Sequence, residues 1–244
     1  MSWGSVFSEG EFHRASGGRG HDDKHMSREL TNLHQRPNSY YESERTDMLK
    51  YIPQGTRTTP EFGCGCGGFS ALLKARLGVE SWAVEVDETA AQEASRKLDR
   101  VLCADAHASI ARIPDNHFDC ILFFDVLEHL VDLYSLLLAV KPKLTTAGVI
   151  VASIPNIRYY RAFLKLVVHG DWHYEDQGIM DRTHLRFFTR KSIINTFEQL
   201  DFRILTIEGI HPTSSRAYRS LNAVLFNALS DVRYKHFAVV AAVK

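Results

Sequence analysis

The chain lacks most of the features that would place it in a specialised class. Only four cysteines occur in 244 residues, at positions 64, 66, 103 and 120. That is too few for the disulfide framework of a small secreted domain, and they read as reduced thiols of a cytoplasmic protein. Cys64-x-Cys66 has no second ligand pair, so a structural zinc site is not expected there. Charge of one sign is missing too: Lys+Arg and Asp+Glu number 29 each, which removes a global attraction to nucleic acid or to an anionic membrane. No apolar run reaches the roughly 18 residues of a membrane-spanning helix, and no signal-peptide core opens the sequence. What remains is a chain with 45% hydrophobic residues, enough for one sizeable core.

Residues 1–36 are rich in Gly, Ser and His and have no apolar period. They read as a flexible leader ahead of a single domain over 37–244. Within the leader, Asp22-Asp-Lys-His-Met26 looks like a protease site and cloning scar, with Met26 as the natural start. From Ser39 the pattern is helical, placing Tyr41, Met48, Leu49 and Ile52 on one side until Pro53 stops it. Alternation follows. A strand ends at Phe62, a helix over 69–77 stops at Gly78, and a strand covers 81–86. Asp87 caps a helix reaching Arg100. Further strands fall at 101–104, 119–124 and 147–154, with a helix over 132–140. Strands alternating with helices give an α/β, doubly wound parallel sheet with helices on both faces. Two last strands, 202–210 and 235–243, lack the crossover pattern.

The densest signal is Glu61-Phe-Gly63-Cys64-Gly65-Cys-Gly67-Gly68. Alternating glycines let a backbone turn tightly and approach a ligand closely, and the helix that opens next aims its N–H groups at that ligand. Glu85, in Val84-Glu85-Val86-Asp87, follows at the distance where a second strand delivers a carboxylate to a ribose. The pattern announces a nucleoside cofactor without choosing one, because Gly63, Gly65 and Gly68 also satisfy the dinucleotide fingerprint G-x-G-x-x-G. Glu61 tilts the choice: a carboxylate there suits a cationic amino acid moiety and repels a pyrophosphate. Asp105 in Cys103-Ala-Asp105-Ala106 and Asp125 in Phe123-Phe124-Asp125-Val-Leu-Glu128-His129-Leu extend the series.

These stretches, EFGCGCGGF, VEVD, ADA, FFDVLEHL and AGVIVASIPN in that order, resemble the class I S-adenosylmethionine (SAM)-dependent methyltransferases over residues 40–244. The resemblance implies a Rossmann-like sheet of seven strands with the last one antiparallel. It also implies SAM as cofactor, with S-adenosylhomocysteine (SAH) as product. On it, Glu61, Gly63, Cys64, Gly65 and Gly67 hold the amino acid end, Glu85 and Val86 the ribose, Asp105 and Ala106 the adenine, and Phe124 and Asp125 the methionyl end. Helix capping is the competing reading for Asp105. The tail SIPNIRYY with MDRTHLRFFTR resembles a subgroup linked to sugar and surface-polysaccharide pathways, which makes a sugar or nucleotide-sugar the first acceptor to expect.

Two segments exceed the minimal scaffold and are expected to cover the carboxyl edge of the sheet. The first, 156–188, begins with an apolar face of Ile157, Tyr160, Phe163, Leu164, Val167 and Val168 opposite Arg158, Arg161 and Lys165. It continues with a polar cluster. Tyr159, His173, Tyr174, Asp181 and Arg182 are the candidates for acceptor binding. The second, 211–231, carries a Leu221, Val224, Leu225, Leu229 stripe. Methyl transfer to a hydroxyl needs a proton acceptor, and His184 and His129 are the candidates, each with a structural histidine as the plain alternative. No spacing among the carboxylates at 125, 128 and 181 argues for a metal. Rival readings are another small natural product as acceptor, a non-catalytic SAM-binding partner protein, and a nicotinamide-dependent oxidoreductase.

Overall fold

A computed structural model describes residues 45–215, 218 and 229–244. The leader, Tyr40, Tyr41 and the Leu221–Leu225 stripe lie outside the described residues. Seven strands form one sheet: β1 Thr58–Phe62, β2 Glu80–Glu85, β3 Arg100–Cys103, β4 Phe118–Phe124, β5 Leu144–Pro155, β6 Phe202–Pro212 and β7 Tyr234–Val243. Their order is β3-β2-β1-β4-β5-β7-β6. Only β7 runs antiparallel, against both β5 and β6, as the resemblance implied. The helices are α1 Gly68–Leu77, α2 Glu88–Ser95, α3 Ala106–Ile110, α4 Leu133–Val140, α5 Tyr160–His169 and α6 Arg190–Gln199.

Strand β4 shows why the sheet is covered on both faces. Ile121 and Phe123 join one buried cluster, whereas Cys120, Leu122 and Phe124 join the other. A strand apolar on both sides has no solvent face, the signature of a central parallel strand between helical layers. Phe62 stacks on Phe123 at 4.9 Å on one side, and Phe69 of α1 meets Phe124 edge-on at 4.8 Å on the other. Helix starts follow local chemistry. The Asp87 carboxylate accepts from Ala90 N, Asp132 from Ser135 N, and Thr189 shares a capping box with Ser192.

Four expectations need correction. The helix capped by Asp87 ends at Ser95 rather than Arg100. The Asp99 carboxylate accepts from Ser81 N at 2.9 Å and from Lys74 Nζ at 2.6 Å, which pulls the chain away from the helix into β3. Strand β5 begins at Leu144, three residues early, because it pairs with Phe118 before a register shift. The apolar face of α5 is not buried among the described residues: Val167 and Val168 are 61% and 65% exposed. The helix expected from Ser39 is, in its described part, a 3-10 segment over Thr46–Tyr51 that buries Met48 and Tyr51.

Candidate active site

The strand order reverses between β1 and β4, so the loops leaving these two neighbours diverge and open a crevice at the carboxyl edge. On the β1 side the chain turns through Gly63, Gly65 and Gly67 with φ of 69°, 54° and 75°, a region open to glycine and strained for other residues. A Cβ on Gly63 would lie 2.6 Å from Val126 Cγ2. The glycine loop is therefore in contact with the β4 loop, and a side chain at 63 would fill the cradle. Glu85, at the end of β2, ties the glycine loop to the loop that leaves β2. One carboxylate oxygen accepts from Gly65 N at 2.8 Å, the other from Val86 N and Asp87 N at 2.8 and 3.0 Å. Beside it Val86 is 73% exposed, an apolar side chain presented at the sheet edge.

Glu61 is buried, and its carboxylate accepts from Ser70 Oγ of α1 at 2.6 Å. Burial pushes its pKa up to about 7, against the lowering influence of Ser70 and Arg45. Such a group calls for a cation, since burying an unpaired carboxylate is costly. Asp105 is exposed and caps α3, accepting from His107 N at 2.8 Å; Ala106 is the first residue of that helix. Cys64 is buried, and burial raises its thiol pKa well out of the reactive range.

On the β4 side, Phe124 packs its ring into the core and Asp125 turns with φ of 53°. The Asp125 carboxylate accepts from Arg45 Nη2 at 2.5 Å and from Ser153 Oγ at 2.8 Å. Burial alone would raise its pKa, but Arg45, His236 and these hydrogen bonds outweigh it and hold the group at about 2. His236 Nε2 stands 3.8 Å away, and burial drives that imidazole down to about 4. Arg45, Ser153 and His236 were not foreseen. They come from three distant parts of the chain; Ser153 lies within the AGVIVASIPN stretch, and no local motif marks Arg45 or His236.

Beyond Asp125 a one-turn 3-10 segment, Leu127–His129, carries Glu128 and His129 toward the 171–188 segment. His184 Nε2 lies 3.8 Å from Glu128 Oε1, and the His129 and His184 rings meet edge-on at 4.7 Å. Glu128 is 1% exposed, and neither carboxylate oxygen has a hydrogen-bond partner. Burial raises its pKa well above the usual range, with Asp125 adding to it. Burial and the neighbouring His129 lower that of His184. Asp181, also buried, accepts from Thr183 Oγ1 at 2.6 Å and Thr183 N at 2.8 Å.

The structure thus brings His129, His184 and Asp181 together beside Asp125, and leaves other candidates apart from them. His173 is exposed, Tyr174 is half exposed and leans toward Phe187, and Arg182 pairs with Asp176 at 2.6 Å on the surface. Tyr159 lines a separate cavity of about 560 Å³ with Arg161, Lys165, Glu175 and Lys235. Arg186 is held by the carbonyls of Leu130 and Val131, and Arg158 by Asp231, so neither offers an unpaired guanidinium to an acceptor.

The glycine cradle, the buried acid at 61 and the carboxylate at 85 fit a nucleoside ligand with a cationic amino acid end. Comparison with known proteins agrees. The model of a methyltransferase domain family matches residues 33–207. Proteins of two Mycobacterium tuberculosis strains, named probable S-adenosylmethionine-dependent methyltransferases, are 29% identical over 120 residues, which is 49% of this chain and 43% of theirs. The match thus spans less than half the length of those relatives. Among solved structures, a SAM-dependent methyltransferase from Archaeoglobus fulgidus has a TM-score of 0.61 at 20% identity, over 88% of this chain and 98% of that one. One from Aquifex aeolicus has 0.55 at 15% identity, over 88% and 96%. At such identities these two likenesses speak for the fold alone. Fold, cradle and family model converge: the chain belongs to the methyltransferase domain family, in its class I, SAM-dependent form.

Proposed function

We propose that the chain transfers the methyl group of SAM to a hydroxyl of a small acceptor, with a sugar or nucleotide-sugar as first candidate. The observation that carries this reading is the placement, on either side of one crevice, of the Glu61–glycine–Glu85 cradle and the buried Glu128–His129–His184 cluster. The cofactor supplies a methyl group on sulfonium sulfur, an already activated leaving group. The protein's task is then largely to position the acceptor, which can contribute about 7–11 kcal/mol. Glu61 would hold the amino group, Glu85 with Val86 beside it the ribose, and Asp105 with Ala106 the adenine. Phe124 and Asp125 would stand at the methionyl end.

As the acceptor oxygen bonds to carbon, the carbon–sulfur bond breaks and its electron pair stays on sulfur. The hydroxyl proton needs a base. His184 is kept neutral by burial, and His129 is half-buried beside it; a positioned imidazole contributes about 10²–10⁴-fold. The sugar assignment rests on the SIPNIRYY and MDRTHLRFFTR resemblance, and the half-buried Tyr159 with the exposed His173, Tyr174 and Arg182 would meet the distal part of such an acceptor. A hydroxylated natural product of another kind is the nearest alternative.

Calorimetric titration with SAH, with NAD as control, tests the cofactor half. Micromolar SAH binding without NAD binding is expected, and NAD binding alone overturns the reading. Transfer of labelled methyl to a panel of nucleotide-sugars and simple glycosides tests the other half. Label appearing only on non-sugar hydroxyl compounds would replace the sugar assignment.

A further inference from the structure

We propose that Glu128, His129 and His184 form a binding site for one divalent transition-metal ion of the zinc or manganese type. One ligand atom from each residue lies within 4.8 Å of the others. Ions of this type bind nitrogen and carboxylate oxygen at about 2.0–2.2 Å, so neighbouring ligand atoms of a tetrahedral site stand about 3.3–3.6 Å apart. His184 Nε2 and Glu128 Oε1, 3.8 Å apart, are already near that spacing, and the wider distances close by at most about 1.5 Å through side-chain rotation.

Three observations converge on a cation at this place. The first is Glu128 itself, a carboxylate 1% exposed with both oxygens lacking a hydrogen-bond partner. A native interior seldom leaves such a group without a counterpart. The second is the setting of the imidazoles. His184 Nδ1 stands 3.1 Å from the Ile179 carbonyl, and His129 Nδ1 stands 3.1 Å from the Thr183 carbonyl. A carbonyl can only accept, and Thr183 Oγ1, also 3.2 Å from His129 Nδ1, gives its own proton to Asp181; in the neutral rings this places the proton on Nδ1 and the lone pair on Nε2. Backbone carbonyls that fix the tautomer in this way accompany metal-ligating histidines generally. In His184 the basic Nε2 is also the atom that faces Glu128 Oε1. The third is the way the site is supported: Glu128 O accepts from Leu185 N and Arg186 N, at 2.9 and 3.1 Å. These bonds tie the segment bearing His184 directly to the turn bearing Glu128 and His129.

Two neutral imidazoles and one carboxylate suit zinc, manganese or cobalt and disfavour magnesium, which prefers an all-oxygen shell. The ion would keep a net charge of +1 with its three ligands and an open coordination position. Its binding rests on these three side chains alone. Its use rests on the methyl-transfer reading above: an acceptor hydroxyl oxygen taken up at the open position would lose its proton to solvent more readily. In the loaded protein the imidazoles would then act as ligands, with the ion in place of a histidine base.

The test uses the full chain, stripped with chelator and titrated without SAM with Zn²⁺, Mn²⁺ and Mg²⁺ separately. One equivalent of Zn²⁺ or Mn²⁺ should bind in the micromolar range or tighter, and Mg²⁺ should not compete. Glu128→Gln and His184→Ala should each weaken that equivalent at least about tenfold, while the exposed His173→Ala and a leader variant lacking His13, His21 and His25 leave it unchanged. Undiminished binding in Glu128→Gln and His184→Ala, loss in the leader variant, or no binding below the millimolar range would overturn the site. Should either variant fail to fold, wild-type crystals soaked in Mn²⁺ decide instead. An anomalous peak between Glu128, His129 and His184 supports the site, and its absence removes it. Because no SAM is present, failure here leaves the SAH titration untouched.

Discussion

Glu61 faces two opposite demands, and pH separates them. Its carboxyl titrates near 7 in the fold against 4.5 in the ordinary state, so the folded protein prefers it protonated. A raised pKa contributes stability that is complete below the unfolded value and is lost as pH rises through the folded one. The ligand-free protein should therefore lose about 3 kcal/mol between pH 4.5 and 8 from this group alone, and Glu61→Gln should remove that slope in thermal melts. SAH affinity should run the other way, rising through pH 7 as the ionised carboxylate meets the ligand's ammonium. A flat affinity profile would separate Glu61 from the amino group. His184 belongs to the other half of the crevice. His184→Ala should lower turnover by about 10²–10⁴-fold while SAH affinity stays nearly unchanged; equal losses in both would undo the division between cofactor and acceptor residues.

At the scale of elements, the site depends on how closely the loops after β1 and β4 approach. Gly63→Ala places a Cβ 2.6 Å from Val126 Cγ2 at a φ of 69°, and should destabilise the protein by about 1–3 kcal/mol. Removing the obstructing methyl groups with Val126→Ala should recover part of that loss, a coupling of about 0.5–2 kcal/mol in a double-mutant cycle. Additive effects would mean the loops do not touch in solution. These loops also mark the boundary of what the sequence made legible. The β1 glycines, Glu85 and the Asp87 cap are local signals, each confined to one strand–turn–helix unit, and all were readable. Asp105 was readable as either cofactor ligand or helix cap, and the capping bond is present. Arg45 on Asp125, and His184 against Glu128, join residues 80 and 56 positions apart. Contacts of that kind have no spacing rule, so the acid at 128 had no visible partner in the sequence. The α5 stripe shows the reverse failure: a 3.6-residue apolar period was plain, yet the period alone does not say that a face is buried.

For the whole molecule, the strand order fixes where ligands act and so what they should do to stability. A ligand in the crevice between β1 and β4 touches loops from the two central units of the sheet; Gly63 meets Val126 between them, and Glu85 ties the β1 loop to the β2 loop. Binding there should be coupled to global unfolding rather than to fraying of one edge. A ligand present at 100 times its Kd that binds only the folded state adds about 2.7 kcal/mol, and in a domain of this size each kcal/mol moves Tm by roughly 2–4 °C. Saturating SAH should therefore raise the melting temperature by about 5–11 °C in a single cooperative transition, while NAD at equal concentration leaves it unchanged. Glu85→Ala should abolish the shift at the same SAH concentration, because it frees the Gly65, Val86 and Asp87 N–H groups together and loosens the cradle. A melt in which SAH stabilises only part of the transition would mean that the crevice and the β7–β6 end of the sheet unfold separately. The seven strands would then be two cooperative units, and the acceptor side would not be held rigid by the cofactor.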